Sequence, residues 1–115
     1  MCIRDSFIES VSSLDGKGAN IQRLLTAAVG ISAEGGEFME IVKKMVFQGK
    51  PWDEHNRKHL IIELGDVMWY VMQACKALDV SIEEVVAGNV DKLKKRYPGG
   101  EFNVYQSENR KEGDL

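Results

Sequence analysis

Residues 61–72 read IIELGDVMWYVM, and this stretch decides the fold. Its apolar side chains point in nearly every direction around a helix axis, and a helix that is apolar all round is a buried one. Glu63 and Asp66 are spaced i, i+3 within the stretch, so both carboxylates lie on one face. Because an uncompensated carboxylate on an interior helix costs several kcal/mol, the stretch predicts a buried helix whose two acids face something positive.

A second acidic pair, Glu34 and Glu37, lies in the segment AEGGE of residues 33–37 and has the same i, i+3 spacing. Two helices that face each other would bring the four carboxylates together, and these cannot all stay ionised without a cation. Hard oxygen ligands suit Mg²⁺, with Mn²⁺ as a possible substitute. Alone, an E-x-x-E pair is common on solvated surface, and Glu40 extends the face either as a further acid at the site or as surface.

The rest of the chain predicts an all-α protein. Apolar residues at helical spacing indicate a short helix from about residue 7 to 13 and longer helices over residues 20–48, 54–78 and 82–96. Asp53 is expected to cap the third helix, and Ser81 with Glu84 forms a capping box for the fourth. Residues 1–106 are expected to form one domain and residues 107–115 a disordered tail, while residues 1–6 carry no periodic signal.

Two glycines, Gly35 and Gly36, interrupt the second predicted helix inside the acidic motif. Each costs about 1 kcal/mol relative to alanine in a helix interior. This departure from local preference indicates either the close approach of another backbone or a ligand, or tight packing between helices. The two explanations are compatible.

The fourth helix carries a candidate phosphate-binding face. At 100° per residue, Lys92 and Arg96 lie about 60° and about 20° from the direction of Asn89. An amide and two cations on one face suit triphosphate oxygens, although a basic last turn also complements the helix dipole. Tyr70, one turn after Asp66, could place its hydroxyl near a phosphate or could be a core residue bonded to a neighbouring helix.

A competing metal site is conceivable on the third helix. His55, His59 and Glu63 are spaced i, i+4, i+8 and could form a zinc-binding stripe. Histidines near a helix start more often face solvent. A di-iron site of the ferritin type would need Glu-x-x-His pairs, and the chain has none.

The ordered set E-x-x-E, E-x-x-D and N-x-x-K-x-x-x-R-Y-P, spread over residues 20–98, resembles the MazG-like all-α nucleotide pyrophosphohydrolases. The resemblance implies a four-helix MazG-like bundle completed by oligomerisation, as a homodimer or as a homotetramer built from two dimers. It also implies a Mg²⁺-dependent enzyme that hydrolyses (d)NTPs to (d)NMP and pyrophosphate in nucleotide-pool control or house-cleaning. Phosphoribosyl-ATP pyrophosphohydrolase, or a non-catalytic helical metal-binding or interaction module, is the alternative.

The family pattern can be carried over residue by residue. It implies that the catalytic and metal-binding residues are Glu34, Glu37, Glu63 and Asp66. It implies that the substrate-binding residues are Tyr70, Asn89, Lys92 and Arg96. An apolar pocket for the base and sugar would draw on Phe38, Trp52 and Trp69.

Composition excludes several other classes. A net charge of −3 argues against a general affinity for nucleic acid or anionic membranes, and no apolar run approaches the ~20 residues of a membrane span. The cysteines, Cys2 and Cys75, form no disulfide framework, so a reducing, cytoplasmic location is expected and Cys75 is expected to be a packing residue. The chain has no P-loop sequence, no Gly-rich dinucleotide turn and no G-x-S-x-G elbow.

Overall fold

The computed structural model describes residues 2–99, and within that range it contains four helices and no strand. The helices are α1 (Ile3–Gly16), α2 (Ile21–Phe47), α3 (Glu54–Leu78) and α4 (Ile82–Arg96). The all-α prediction is confirmed. The expected tail lies outside the described residues, so it stays a prediction, as does the single domain over residues 1–106.

The helix ends follow from local capping chemistry. Asn20 accepts a hydrogen bond from the backbone N–H of Arg23, and Asp53 accepts one from the backbone N–H of Asn56 at 2.8 Å. The predicted capping box of Ser81 and Glu84 is present. These caps account for the close agreement between predicted and observed bounds of α2, α3 and α4.

The first helix is longer than predicted. It begins at Ile3, four residues before the expected start, and it ends at Gly16. Residues 3–6 include no proline or glycine, so nothing in them stops the helix from extending. The turn follows at Gly18, whose φ of +90° is one that glycine adopts without strain.

The residues through Asp79 form one compact unit, in which α2 and α3 pack as an antiparallel hairpin. Few of its side chains are buried, namely those of Ala27, Ile41, Cys75 and Asn56. The amide of Asn56 donates a hydrogen bond to the carbonyl oxygen of Pro51 at 2.7 Å and so ties the connecting loop to α3. The prediction that Cys75 is a packing residue is confirmed.

Much apolar surface of α3 is exposed. Ile61, Ile62 and Trp69 retain 52%, 61% and 63% of their accessible surface. No large side chain among residues 2–99 is fully buried. The buried helix predicted from residues 61–72 is therefore not formed by one chain alone, because α2 can cover only one side of α3.

The second compact unit starts at Val80, and α4 is its described helix. None of the α4 residues is buried. Among residues 2–99, no helix combines the length and the apolarity that crossing a lipid bilayer requires.

Candidate functional site

Three of the four predicted acids converge between α2 and α3. One carboxylate oxygen from each of Glu34, Glu63 and Asp66 lies within 4.8 Å of the others. The i, i+3 spacing places Glu63 and Asp66 on one face of α3, and the antiparallel packing brings Glu34 of α2 against them. We call these three residues the acidic cluster.

Glu63 is the most enclosed member of the acidic cluster. Its side chain is 14% exposed, and its Oε2 is buried without a hydrogen-bond partner among residues 2–99. Its Oε1 lies 3.3 Å from Nε2 of His59, one turn earlier on α3. A buried carboxylate oxygen without a partner is costly. The site is therefore incomplete without a donor or a cation beside Oε2.

The environment of Glu34 disfavours its ionised form. Desolvation raises its pKa above the ordinary value, and a hydrogen-bonding contact with the carboxyl of Glu63 adds to the rise. The negative charges of Asp66, Glu63 and Glu37 raise this pKa further. These are the effects expected when carboxylates share a site without a cation between them.

Glu37 is near the acidic cluster but does not join it. Its charge contributes to the raised pKa of Glu34, yet its side chain is exposed and supplies no oxygen to the convergent group. Glu40 forms ion pairs with Lys43 at 3.8 Å and Lys44 at 3.7 Å. The surface interpretation of Glu40 therefore accounts for its surroundings.

The donor set of the acidic cluster fits a hard divalent cation. Mg²⁺ prefers carboxylate oxygens, water and substrate phosphates over an all-protein cage. A cation here would give Glu63 Oε2 the partner it lacks and would relieve the repulsion that raises the pKa of Glu34. Glu34, Glu63 and Asp66 would hold it.

The zinc stripe is not assembled among residues 2–99. The acidic cluster is the convergent group of potential ligands found there, and it contains no histidine. His55 is exposed in the first turns of α3. His59 instead contacts a member of the acidic cluster, where it can orient the Glu63 carboxylate.

The Tyr70 side chain of α3 packs directly against Gly30 of α2. A Cβ atom on residue 30 would fall within the Tyr70 ring. Tyr70 and Glu34 share a cleft of about 370 Å³, which also contains Leu25, Thr26, Val29, Gly30 and Ala33. Gly30 was not predicted as a site residue, although its position one turn before Glu34 places it on the side of α2 that faces the site.

Gly35 and Gly36, unlike Gly30, have open space where a side chain would be. A Cβ atom on Gly35 or Gly36 would meet nothing within 4 Å. Tight packing between the four described helices therefore does not explain them. The remaining explanation is the approach of a ligand or another chain.

The predicted phosphate-binding residues lie on α4, in the second unit. Asn89 is exposed, and Lys92 and Arg96 are half-buried. The continuous helix from Ile82 to Arg96 gives these residues the shared face that the sequence predicts. Their role in phosphate binding stays a prediction.

Comparison with known proteins places the chain in a family. The family model described as the MazG nucleotide pyrophosphohydrolase domain matches residues 22–100. The chain is also similar to the Gene 37 protein of Mycobacterium phage L5, with 39% identity over 83 residues. This aligned region covers 70% of this chain and 72% of the phage protein. No solved structure matches the chain significantly. With a match over more than half of its length, the chain belongs to the MazG nucleotide pyrophosphohydrolase family.

Proposed function

We propose that the protein is a Mg²⁺-dependent nucleoside triphosphate pyrophosphohydrolase. It converts a (d)NTP and water to a (d)NMP and pyrophosphate, and so takes part in nucleotide-pool control or house-cleaning. The observation that carries the proposal is the acidic cluster, in which Glu63 Oε2 is buried without a hydrogen-bond partner in the described part of the chain. Family membership supplies the reaction class.

In this proposal, a water oxygen attacks the α-phosphorus, and the bond from that phosphorus to the bridging oxygen breaks. A Mg²⁺ ion held by Glu34, Glu63 and Asp66 would neutralise charge on the triphosphate and polarise the phosphoryl group. Glu34 positions the water and takes its proton.

The remaining residues bind and orient the substrate. Glu63 and Asp66 anchor the cation from the rigid α3 helix, with His59 holding the Glu63 carboxylate. We assign Glu37 to the outer edge of the site. The resemblance assigns Asn89, Lys92 and Arg96 of α4 to the phosphates, where their charge would stabilise the leaving pyrophosphate.

A second copy of the chain completes the fold in this proposal. Ile62 and Trp69 of α3 are 61% and 63% exposed, and Trp52 is 69% exposed. Burial of such side chains stabilises by about 1.5–3 kcal/mol each, so association is favoured. We expect a homodimer or homotetramer, to be checked by light scattering. A monomer at micromolar concentration would contradict this part of the proposal.

The free cysteines and the nucleotide substrate are consistent with a cytoplasmic location. Cys2 is exposed and Cys75 buried, and neither forms a disulfide. The location stays part of the proposal.

The function is tested by pyrophosphate release from a panel of (d)NTPs with Mg²⁺. Glu63→Gln and Asp66→Asn should each lower kcat/KM by about 10²-fold or more, the scale of losing a preorganised electrostatic contact. Glu40→Gln is the matched control, since Glu40 forms ion pairs with surface lysines, and it should retain normal turnover. Metal-free Glu63→Gln should unfold no earlier than the parent, because it removes an uncompensated charge.

The outcomes separate the alternatives. Near-normal activity of Glu63→Gln would refute the assignment of the acidic cluster. Pyrophosphate release from phosphoribosyl-ATP but from no (d)NTP would favour that narrower enzyme. Release from none of these substrates would leave a non-catalytic metal-binding or interaction module.

A further inference from the structure

A second, polar cleft adjoins the cleft that contains Glu34 and Tyr70. It has a volume of about 350 Å³ and is lined by Asn20, Gln22, Arg23, Thr26 and Gln73. These side chains offer a guanidinium, three amides and a hydroxyl. Thr26 lines both clefts, so the two meet at this residue of α2.

The clefts lie along one face of each helix. Arg23 precedes Glu34 by eleven residues, which is three turns with an offset of about 20° and an axial rise of about 16 Å. Gln73 follows Asp66 by seven residues, which is two turns, again with an offset of about 20°. Because α2 and α3 are antiparallel, both faces run in the same direction from the acidic cluster to Arg23 and Gln73.

The lining changes in chemical character along this path. The cleft that contains Glu34 is lined in part by Val29, Leu25 and the Tyr70 ring, which suit the apolar faces of a sugar and a base. The far end is polar. A ligand whose phosphates bind at the acidic cluster would thus contact the apolar side chains with its middle part and the hydrogen-bonding side chains with its far end. A nucleotide has this order, because its sugar and the face of its base follow the phosphates and the polar edge of the base comes last.

Local bonds fix part of the polar cleft and leave Arg23 available. The Thr26 hydroxyl donates to the carbonyl oxygen of Gln22 at 2.9 Å, and Asn20 Oδ1 accepts from the backbone N–H of Arg23. Within residues 2–99, no ion pair involves the guanidinium of Arg23. The N–H groups of its guanidinium can therefore donate hydrogen bonds to a ligand.

We propose that the polar cleft reads the edge of the nucleobase and that Arg23, with Gln73, selects a guanine nucleotide. The inference rests on the proposed function, since it assumes that phosphates anchor at the acidic cluster. Arg forms paired hydrogen bonds with the adjacent O6 and N7 acceptors of guanine, a pattern that no other standard base presents.

The test compares all four bases in the parent protein and in two variants. Arg23→Gln removes the charged fork, and Arg57→Gln is the matched control, because Arg57 is exposed and pairs with Glu54 at 3.3 Å. The parent should show kcat/KM for GTP or dGTP about tenfold or more above the other bases, the discrimination typical of one paired contact. Arg23→Gln should abolish that preference and leave kcat/KM for ATP within about threefold, while Arg57→Gln should keep the preference.

A binding measurement separates this inference from the proposed reaction. Calorimetry with GMP, AMP, CMP and UMP needs no turnover, and GMP should bind tightest to the parent but not to Arg23→Gln. Selective GMP binding without any triphosphate hydrolysis would retain the cleft and refute the reaction. Equal binding of the four bases, or an equal loss for all of them in Arg23→Gln, would overturn the inference and assign Arg23 to a group common to all nucleotides.

Discussion

Replacing Gly30 by alanine would place a methyl group where the Tyr70 ring lies. The ring cannot simply rotate away, because the Cβ atom would fall close to several of its atoms at once. Either the ring leaves its position or α2 and α3 move apart. Overpacking of this kind costs about 1–3 kcal/mol, which opposes the gain of about 1 kcal/mol that alanine brings to a helix interior.

A matched glycine isolates the packing contribution. Gly88 lies within α4, and a Cβ atom there would meet nothing within 4 Å. Gly88→Ala should therefore stabilise by about 1 kcal/mol, and Gly30→Ala should be less stable than Gly88→Ala by about 1–3 kcal/mol. Since 1 kcal/mol shifts the melting temperature of a small domain by about 4–8 °C, circular dichroism during heating resolves the difference.

A double-mutant cycle identifies the clashing partner. In a Tyr70→Ala background, Gly30→Ala should become stabilising, because the ring that it meets is gone. In the parent background the displaced ring should also lower kcat/KM, since Tyr70 lines the cleft beside Glu34. If Gly30→Ala and Gly88→Ala stabilise the parent equally, the close approach of α2 and α3 at Tyr70 is refuted.

Two further predictions concern charge. Because the pKa of Glu34 is raised in the folded protein, its contribution to stability is present below the unfolded-state pKa and is lost as pH rises through the folded-state pKa. Above about pH 4.5, the metal-free parent should thus lose stability relative to Glu34→Gln as pH rises, and identical pH profiles in denaturant titrations would contradict this. On α4, Lys92→Ala and Arg96→Lys should lower kcat/KM about tenfold with little change in melting temperature, whereas normal kinetics would reduce both residues to a basic helix end.

The sequence predicts best what is determined locally. The bounds of α2, α3 and α4 follow from capping residues such as Asn20, Asp53 and Ser81, each of which bonds a backbone N–H three residues away. Convergence of Glu63 and Asp66 needs only helical spacing. The start of α1 was missed, because residues 3–6 lack the apolar periodicity of a packed helix although nothing in them prevents a helix.

Contacts between elements were harder to predict. From the sequence, Glu34 and Glu37 are equally good candidates for the acidic cluster, but of the two only Glu34 belongs to it. The register of α2 against α3 determines which turn of α2 faces Glu63 and Asp66. The same register sets Gly30 against Tyr70. No spacing rule within one helix contains that information.

The glycines of α2 have different structural roles before and after Glu34. Before it, Gly30 is required by a contact within the chain, and the cleft beside the acidic cluster depends on the resulting close packing. After it, Gly35 and Gly36 each cost about 1 kcal/mol of helix stability without a contact among residues 2–99 to explain them. A cost without an internal reason points to a partner outside the chain. The exposed apolar face of α3 would also be stabilised by a partner that covers it. A second copy that covers this face together with Gly35 and Gly36 would account for both the exposed apolar surface and the two glycines.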